Sequence, residues 1–102
     1  MVKKFREHKP RMLNSGYGQA TLPICETFDA DHVRQLLDNG ATEIRIYMGM
    51  NAGNEMIAVL VGADSNGVDI LPESNDEIEE GYLIENGKRC PTDCPPASEL
   101  YP

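Results

Sequence analysis

The sequence predicts an α+β domain in which a short helix packs on a three- to four-stranded, largely antiparallel meander sheet. Three consecutive segments support this fold class. The segment FDADHVRQLLDNG at 28–40 has the apolar spacing of an amphipathic helix, TEIRIYMGM at 42–50 alternates in polarity, and EMIAVLVG at 55–62 is almost continuously apolar. A change from helical spacing to strand periodicity within one small chain is typical of α+β proteins.

The predicted helix has its own start and stop signals. Asp29 can cap its first turn, and the negative charge of Asp31 is favourable near a helix N-terminus. The pair Asn39-Gly40 supplies the left-handed residue at which helices commonly end. The apolar side chains fall on one stripe, formed by Ala30, Val33, Leu36 and Leu37. The helix is therefore expected to bury a single face.

The first predicted strand, at 43–50, has two different faces. One face is apolar and is formed by Ile44, Ile46, Met48 and Met50, whereas Glu43, Arg45 and Tyr47 lie on the other. Because side chains alternate along a strand, the apolar face is expected to cover the core. The next strand is apolar at every position from 56 to 61, which is typical of a central strand covered on both faces. After the turn ADSNG, the segment VDIL at 68–71 is predicted as a third strand.

The central strand requires a second layer, because one helix covers only one face of a sheet. Two candidates for this layer are the sheet of a second copy and a later apolar group, formed by Ile78, Tyr82, Leu83 and Ile84. The group lies in 73–87, where a capping-box spacing favours a helical turn followed by an extended piece. The sequence therefore predicts self-association unless this group supplies the layer.

The chain is predicted to contain a basic flexible arm at 1–19, a single α+β domain at 20–94 and a proline-rich tail at 95–102. Its 102 residues leave room for one core.

Nucleic-acid binding is not expected, because the net charge of −8 repels phosphates even though the arm is basic. The odd cysteine count of three and the absence of a signal or transmembrane pattern predict a cytoplasmic protein with no membrane insertion.

Catalytic motifs are not recognisable in the sequence. His32 could act as a base beside Asp29 or Asp31, which leaves a small-ligand enzyme as one alternative. Arg45 and Tyr47, on the polar face of their strand, are candidate ligand-binding or interaction residues. His32 is the third candidate of this kind.

The segment CPTDC at 90–94 is the motif that most suggests a metal site or a disulfide. Cys90 and Cys94 could supply one pair of zinc ligands, but the chain offers no second pair with suitable spacing. A disulfide is the other alternative, provided that a turn brings the two residues together. The sequence favours a proline-stiffened turn with both cysteines reduced and no cofactor, and zinc remains the alternative cofactor.

The strand pair and the terminal cysteines together suggest a resemblance. The segments IRIYMG, AVLVGADSNGVDIL and CPTDC resemble those of a group of small, uncharacterised bacterial proteins with an RIY-G strand, an LVLVG-D strand and a C-terminal Cys-Pro/Cys stretch. The resemblance covers roughly residues 29 to 94. It implies the α+β fold, and it implies no activity, cofactor or catalytic residue.

The sequence therefore predicts a noncatalytic protein-interaction or assembly module. Its partner would be another protein or a second copy of the chain. The alternatives are a small metal-binding protein that uses Cys90 and Cys94, and a small-ligand enzyme that uses His32.

Overall fold

The computed structural model describes residues 1–14, 16–72 and 82–100. It contains two helices packed on antiparallel sheets of two and three strands, which confirms the α+β prediction. The chain forms two compact units. Unit 1 comprises Met1–Thr27, Met50–Ile57 and Lys88–Pro102, and unit 2 comprises Phe28–Gly49 and Ala58–Gly87. The domain boundaries expected from the sequence stay a prediction.

Unit 1 contains the helix α1, Val2–Met12, and the antiparallel strands β1, Cys25–Thr27, and β5, Lys88–Cys90. The strand β1 lies within the segment TLPICETF at 21–28. The sequence did not predict α1, because residues 1–19 were expected to be flexible. Lysine, arginine, glutamate and methionine are strong helix formers, and Lys3 and Glu7 form an ion pair one turn apart. Local propensity therefore favours a helix even with Pro10 in its last turn.

Unit 2 is built around the helix α2, Ala30–Asp38, and a sheet with the strand order β2-β3-β4. The strands are β2, Glu43–Met50, β3, Met56–Ala63, and β4, Leu83–Ile84. The carboxylate of Asp29 accepts a hydrogen bond from the Asp31 amide at 2.8 Å. At the other end of α2, Gly40 has a φ of 97°. Both helix boundaries expected from the sequence are confirmed.

The core of unit 2 lies between α2, β3 and β4. Its buried side chains are Leu36, Leu60 and Ile84, and Phe28, Val33 and Ala58 pack against them. Leu60 is paired with Ile84 across the two strands. The backbone of Gly62 approaches the segment that follows α2, and a Cβ at this glycine would lie 2.7 Å from the Ala41 Cβ. The helix can therefore sit close to β3.

The third strand of the sheet differs from the expected one. The segment 68–71 was expected to be this strand, but it contributes a single bridge between Asp69 and Ala63, and β4 is the strand beside β3. The turn before it is tight, since the Asp64 carboxylate accepts the Asn66 and Val68 amides. The ladder ends there because β4 occupies the next positions along β3, with Leu83 paired to Val61 and Ile84 to Leu60. Leu83 and Ile84 thus confirm the extended piece expected in 73–87, whereas the expected helical turn at 73–81 lies outside the described residues.

Within residues 1–14, 16–72 and 82–100, neither helix is long and apolar enough to cross a membrane.

Candidate functional site

Two of the predicted interaction residues, Arg45 and Tyr47, both bind a third residue, Asp69, which was not among the predicted site residues. Arg45 Nη1 donates to Asp69 Oδ1 and the Tyr47 hydroxyl donates to Asp69 Oδ2, both at 2.5 Å. The bridge to Ala63 places Asp69 at the end of β3, and Arg45 and Tyr47 come from β2. The alternation of Asp69 with Val68 and Ile70 was the available signal, because it put Asp69 on a polar face. We call these three residues the β2 polar cluster.

The Asp69 carboxylate is held in its ionised form. The hydrogen bond from Tyr47 lowers its pKa most, and the bond and positive charge of Arg45 lower the pKa further, while partial burial opposes the shift. Both carboxylate oxygens are occupied by donors from the cluster itself. The arrangement fixes the side chains on this face of β2, and it leaves Asp69 poorly placed to act as a base.

Substitution of Asp69 by asparagine is expected to lower the melting temperature at neutral pH and to matter less as the pH falls. The pKa of Asp69 is lower in the folded protein than in the unfolded chain. Its contribution is therefore complete above the unfolded-state pKa and is lost as the pH falls through the folded-state pKa. Thermal unfolding of the wild type and Asp69→Asn from neutral to strongly acidic pH measures this.

The exposed carboxylate of Glu85 supplies the matched control for this titration. Glu85→Gln is expected to change the melting temperature little at any pH. A loss in Asp69→Asn that stayed constant across the whole pH range would contradict a role for the ionised carboxylate.

The third candidate, His32, is not part of this cluster. It lies exposed on α2, and its imidazole makes no hydrogen bond or ion pair with the part of the chain that the structure describes. A general base needs a positioned partner and a substrate within hydrogen-bond reach. The proposed alternative of an enzyme that uses His32 gains no support from this geometry.

The apolar face of β2 does not cover the core, in contrast to the expectation from its alternation. The exposed fractions are 36% for Ile44, 53% for Ile46 and 64% for Met48, and Met50 at the end of the strand is also exposed. The reason is the position of β2 at the edge of the sheet, while the core residues of α2 pack over β3 and β4. Sequence periodicity distinguishes the two faces of a strand but does not say which strand is at an edge. We call Ile44, Ile46 and Met48 the β2 apolar row.

In unit 1, Arg89 of β5 donates hydrogen bonds through all three of its guanidinium nitrogens. Its Nε donates to the Met56 carbonyl at 3.0 Å, Nη1 to Glu55 Oε2 at 3.1 Å and Nη2 to the Ala20 carbonyl at 2.6 Å. The side chain is 11% exposed. Arg89 therefore joins two separate stretches of chain to β5, one at residue 20 and one at 55–56.

Lys9 of α1 is a second cation in the neighbourhood of Arg89. It is buried, and this desolvation lowers its pKa, with the positive charge of Arg89 adding to the shift. The basic arm thus contributes a residue to the interior of unit 1, which its charge pattern alone did not indicate.

Cys90 and Cys94 form a disulfide with a Cα–Cα separation of 4.5 Å. This differs from the expected turn with reduced cysteines. The turn itself is present, since the Asp93 amide donates to the Arg89 carbonyl at 2.7 Å, and it brings the two residues within bonding range. Zinc binds cysteine as thiolate, so a zinc site at Cys90 and Cys94 would first require reduction of this bond. No group of three or more histidine, cysteine or acidic side chains able to hold a metal occurs within 1–14, 16–72 and 82–100.

No protein-family model, curated protein or solved structure matches the chain. The resemblance to small bacterial proteins therefore stays a prediction.

Proposed function

We propose that this protein is a noncatalytic interaction module that assembles through the edge strand β2, with a second copy of the chain as its partner. The observation that carries the proposal is the β2 apolar row, whose three large side chains are exposed side by side on an edge strand. An edge strand offers backbone hydrogen-bonding groups to another strand, and proteins usually protect such edges with charges or prolines. The outward apolar row of β2 has neither.

A second copy fits this edge by symmetry. Two β2 strands can pair in antiparallel fashion around a two-fold axis, which is the commonest arrangement of homodimers. In some registers, Ile46 of one copy lies opposite Ile46 or Met48 of the other copy. These registers place both apolar rows on one face of a continuous sheet. A slip of one residue would place the rows on opposite faces and lose the contact between them. Burial of the combined row therefore favours a particular register.

The charges on β2 permit this contact despite the net charge of −8. The strand carries one acidic residue, Glu43, and one basic residue, Arg45, which is already paired with Asp69. Two copies would thus bring only one uncompensated acidic residue each, Glu43, to the paired strands. The remaining acidic residues set an ionic-strength dependence, because salt screens repulsion between exposed charges.

The expected dimer is weak. Pairing along one strand and one apolar row falls at the low end of interface sizes, below about 1,200 Å² in total. We therefore expect a monomer–dimer equilibrium in the micromolar range, with more dimer at higher salt.

Ile46→Glu is expected to weaken dimerisation by about 30-fold or more, the effect of losing a hot-spot side chain worth about 2 kcal/mol. The two-fold axis would place the new carboxylates close together, which adds repulsion to the lost apolar contact. Light scattering coupled to gel filtration, from low micromolar to submillimolar protein, measures the change.

Val68→Glu is the matched control, since Val68 is 59% exposed but lies outside the row. It should dimerise like the wild type. A wild type that remains monomeric across this range, or equal dimerisation of the two variants, would contradict assembly through β2.

The proposed location is the cytoplasm. The odd number of cysteines supports it, whereas the bond between Cys90 and Cys94 is of a kind that reducing compartments seldom retain. Free-thiol titration of protein taken directly from its cells tests the location. Three free thiols would support the cytoplasm, and one free thiol would support an oxidising compartment.

A further inference from the structure

The third cysteine lies next to the disulfide. Cys25 of β1 is paired directly with Cys90 of β5 in the antiparallel ladder, and Cys90 is bonded to Cys94. The sequence does not reveal this proximity, because nothing in the spacing of the cysteines shows that β1 and β5 are neighbours. Cys90 therefore has two possible sulfur partners, one across the sheet and one in the following turn.

The pairing of Cys25 with Cys90 suits a disulfide. Residues directly opposed in an antiparallel ladder have Cα atoms about 4.5–5.5 Å apart. Disulfides span Cα separations of about 4.4–6.8 Å, so this pair of positions can be bridged with little movement of the backbone. The neighbouring hydrogen bond from the Ile24 amide to the Cys90 carbonyl, at 2.7 Å, holds the two strands together at this point.

The three cysteines differ in access to solvent. Cys90 is fully buried, Cys25 is half-buried with a free thiol, and Cys94 is exposed. A reagent in solution therefore reaches Cys94 most easily, whereas Cys90 is reached from within the ladder by Cys25.

We propose that Cys25, Cys90 and Cys94 form a thiol–disulfide exchange centre in which Cys25 displaces Cys94 from Cys90. The Cys25 thiolate attacks Cys90 Sγ, the Cys25–Cys90 bond forms, the Cys90–Cys94 bond breaks, and the electron pair leaves on Cys94 Sγ. The proton released by Cys25 is balanced by the proton that Cys94 takes up. The number of disulfides is unchanged, so the step needs no oxidant or reductant.

The exchange converts a half-buried thiol into an exposed one. In the second isomer the Cys25–Cys90 bond ties β1 to β5, and Cys94 becomes a thiol that an external disulfide can reach. Attack of the Cys94 thiolate on such a disulfide would give a mixed disulfide at Cys94 and release the other half as a thiolate. The centre therefore presents an exposed thiol for small-molecule or protein disulfides while one internal bond is kept.

The test is to trap the isomers in the full, unreduced chain with iodoacetamide at mildly alkaline pH and to digest without reductant. Cleavage before Asp93 separates Cys90 from Cys94, so the linked peptides identify the bond directly. We expect two products, one with the Cys25–Cys90 bond and alkylated Cys94, and one with the Cys90–Cys94 bond and alkylated Cys25. The first should accumulate with time, because exposed Cys94 reacts whenever the exchange frees it.

Two variants complete the test. Cys25→Ser should retain the Cys90–Cys94 bond and leave Cys94 unalkylated. Cys94→Ser should form the Cys25–Cys90 bond when treated with oxidised glutathione. The rate of Cys94 alkylation in the wild type should not depend on protein concentration, as required of exchange within one molecule.

Three results would overturn the proposal. The first is the absence of any Cys25–Cys90 peptide from the wild type, which decides the matter even if a variant does not fold. The second is Cys94 alkylation that is equally fast in Cys25→Ser, and the third is a rate that rises with protein concentration. Because the proposal concerns the cysteines alone, its outcome is independent of dimerisation through β2.

Discussion

Replacement of Arg89 by alanine is expected to lower the free energy of unfolding by about 3 kcal/mol, the upper end of the range for hydrogen bonds to a charged group. The guanidinium donates to the carbonyls of Met56 and Ala20 and to the Glu55 carboxylate. Its loss leaves three part-buried acceptors without their donor, and water compensates for only some of the lost hydrogen bonds. Chemical denaturation followed by circular dichroism measures the loss.

Arg89→Lys should recover little of this stability. Lysine has one compact ammonium group, which cannot reach acceptors that are spread around a planar fork. Lys88→Ala is the matched control, since Lys88 is the exposed neighbour in the same strand, and it should change the free energy by about 0.5 kcal/mol or less. Comparable losses in Arg89→Ala and Lys88→Ala would show that Arg89 does not hold unit 1 together.

The second large effect is expected at Leu36, where alanine should cost about 2–5 kcal/mol through lost burial and the cavity that remains. Leu36 is 2% exposed and packs in the core of unit 2 with Leu60 and Ile84. Urea denaturation monitored by far-ultraviolet circular dichroism gives the free-energy difference.

The adjacent leucine provides the control. Leu37 is 48% exposed on the same helix. Leu37→Ala and Leu36→Ala change the intrinsic helix propensity by the same small amount. We expect a loss of about 0.5 kcal/mol or less for Leu37→Ala. Equal losses of stability in the two alanine variants would contradict the assignment of Leu36 to the buried face of α2 and Leu37 to its exposed face.

Local patterns predicted much of unit 2. The cap at Asp29, the stop at Gly40, the alternation over 43–50 and the apolar run over 56–61 are properties of short stretches of sequence. The structure confirms α2, β2 and β3 at these places. The edge position of β2 was not predictable in this way. It depends on which strand neighbours β3 on its other side, and that strand, β4, is only two residues long.

Long-range pairing explains what the sequence did not reveal about the candidate sites. Asp69 joins Arg45 and Tyr47 only because the chain folds back along β3, and Cys25 meets Cys90 only because β1 pairs with β5. Neither pairing has a signal in the spacing of residues along the chain. The burial of Lys9 was hidden for the same reason, since a charged terminal segment gives no sign that it packs against residues distant in sequence.

The pairing of β1 with β5 also bears on the order of folding. Unit 1 draws its residues from the start of the chain, from the β2–β3 hairpin and from the last segment, so its sheet closes a loop that contains most of the protein. Closing a long loop costs entropy before the new contacts compensate for it, which slows folding. The helix α2 and the β2–β3 hairpin need only nearby residues. We therefore expect them to form first, and unit 1 to assemble late, after the ribosome has released the segment that carries β5.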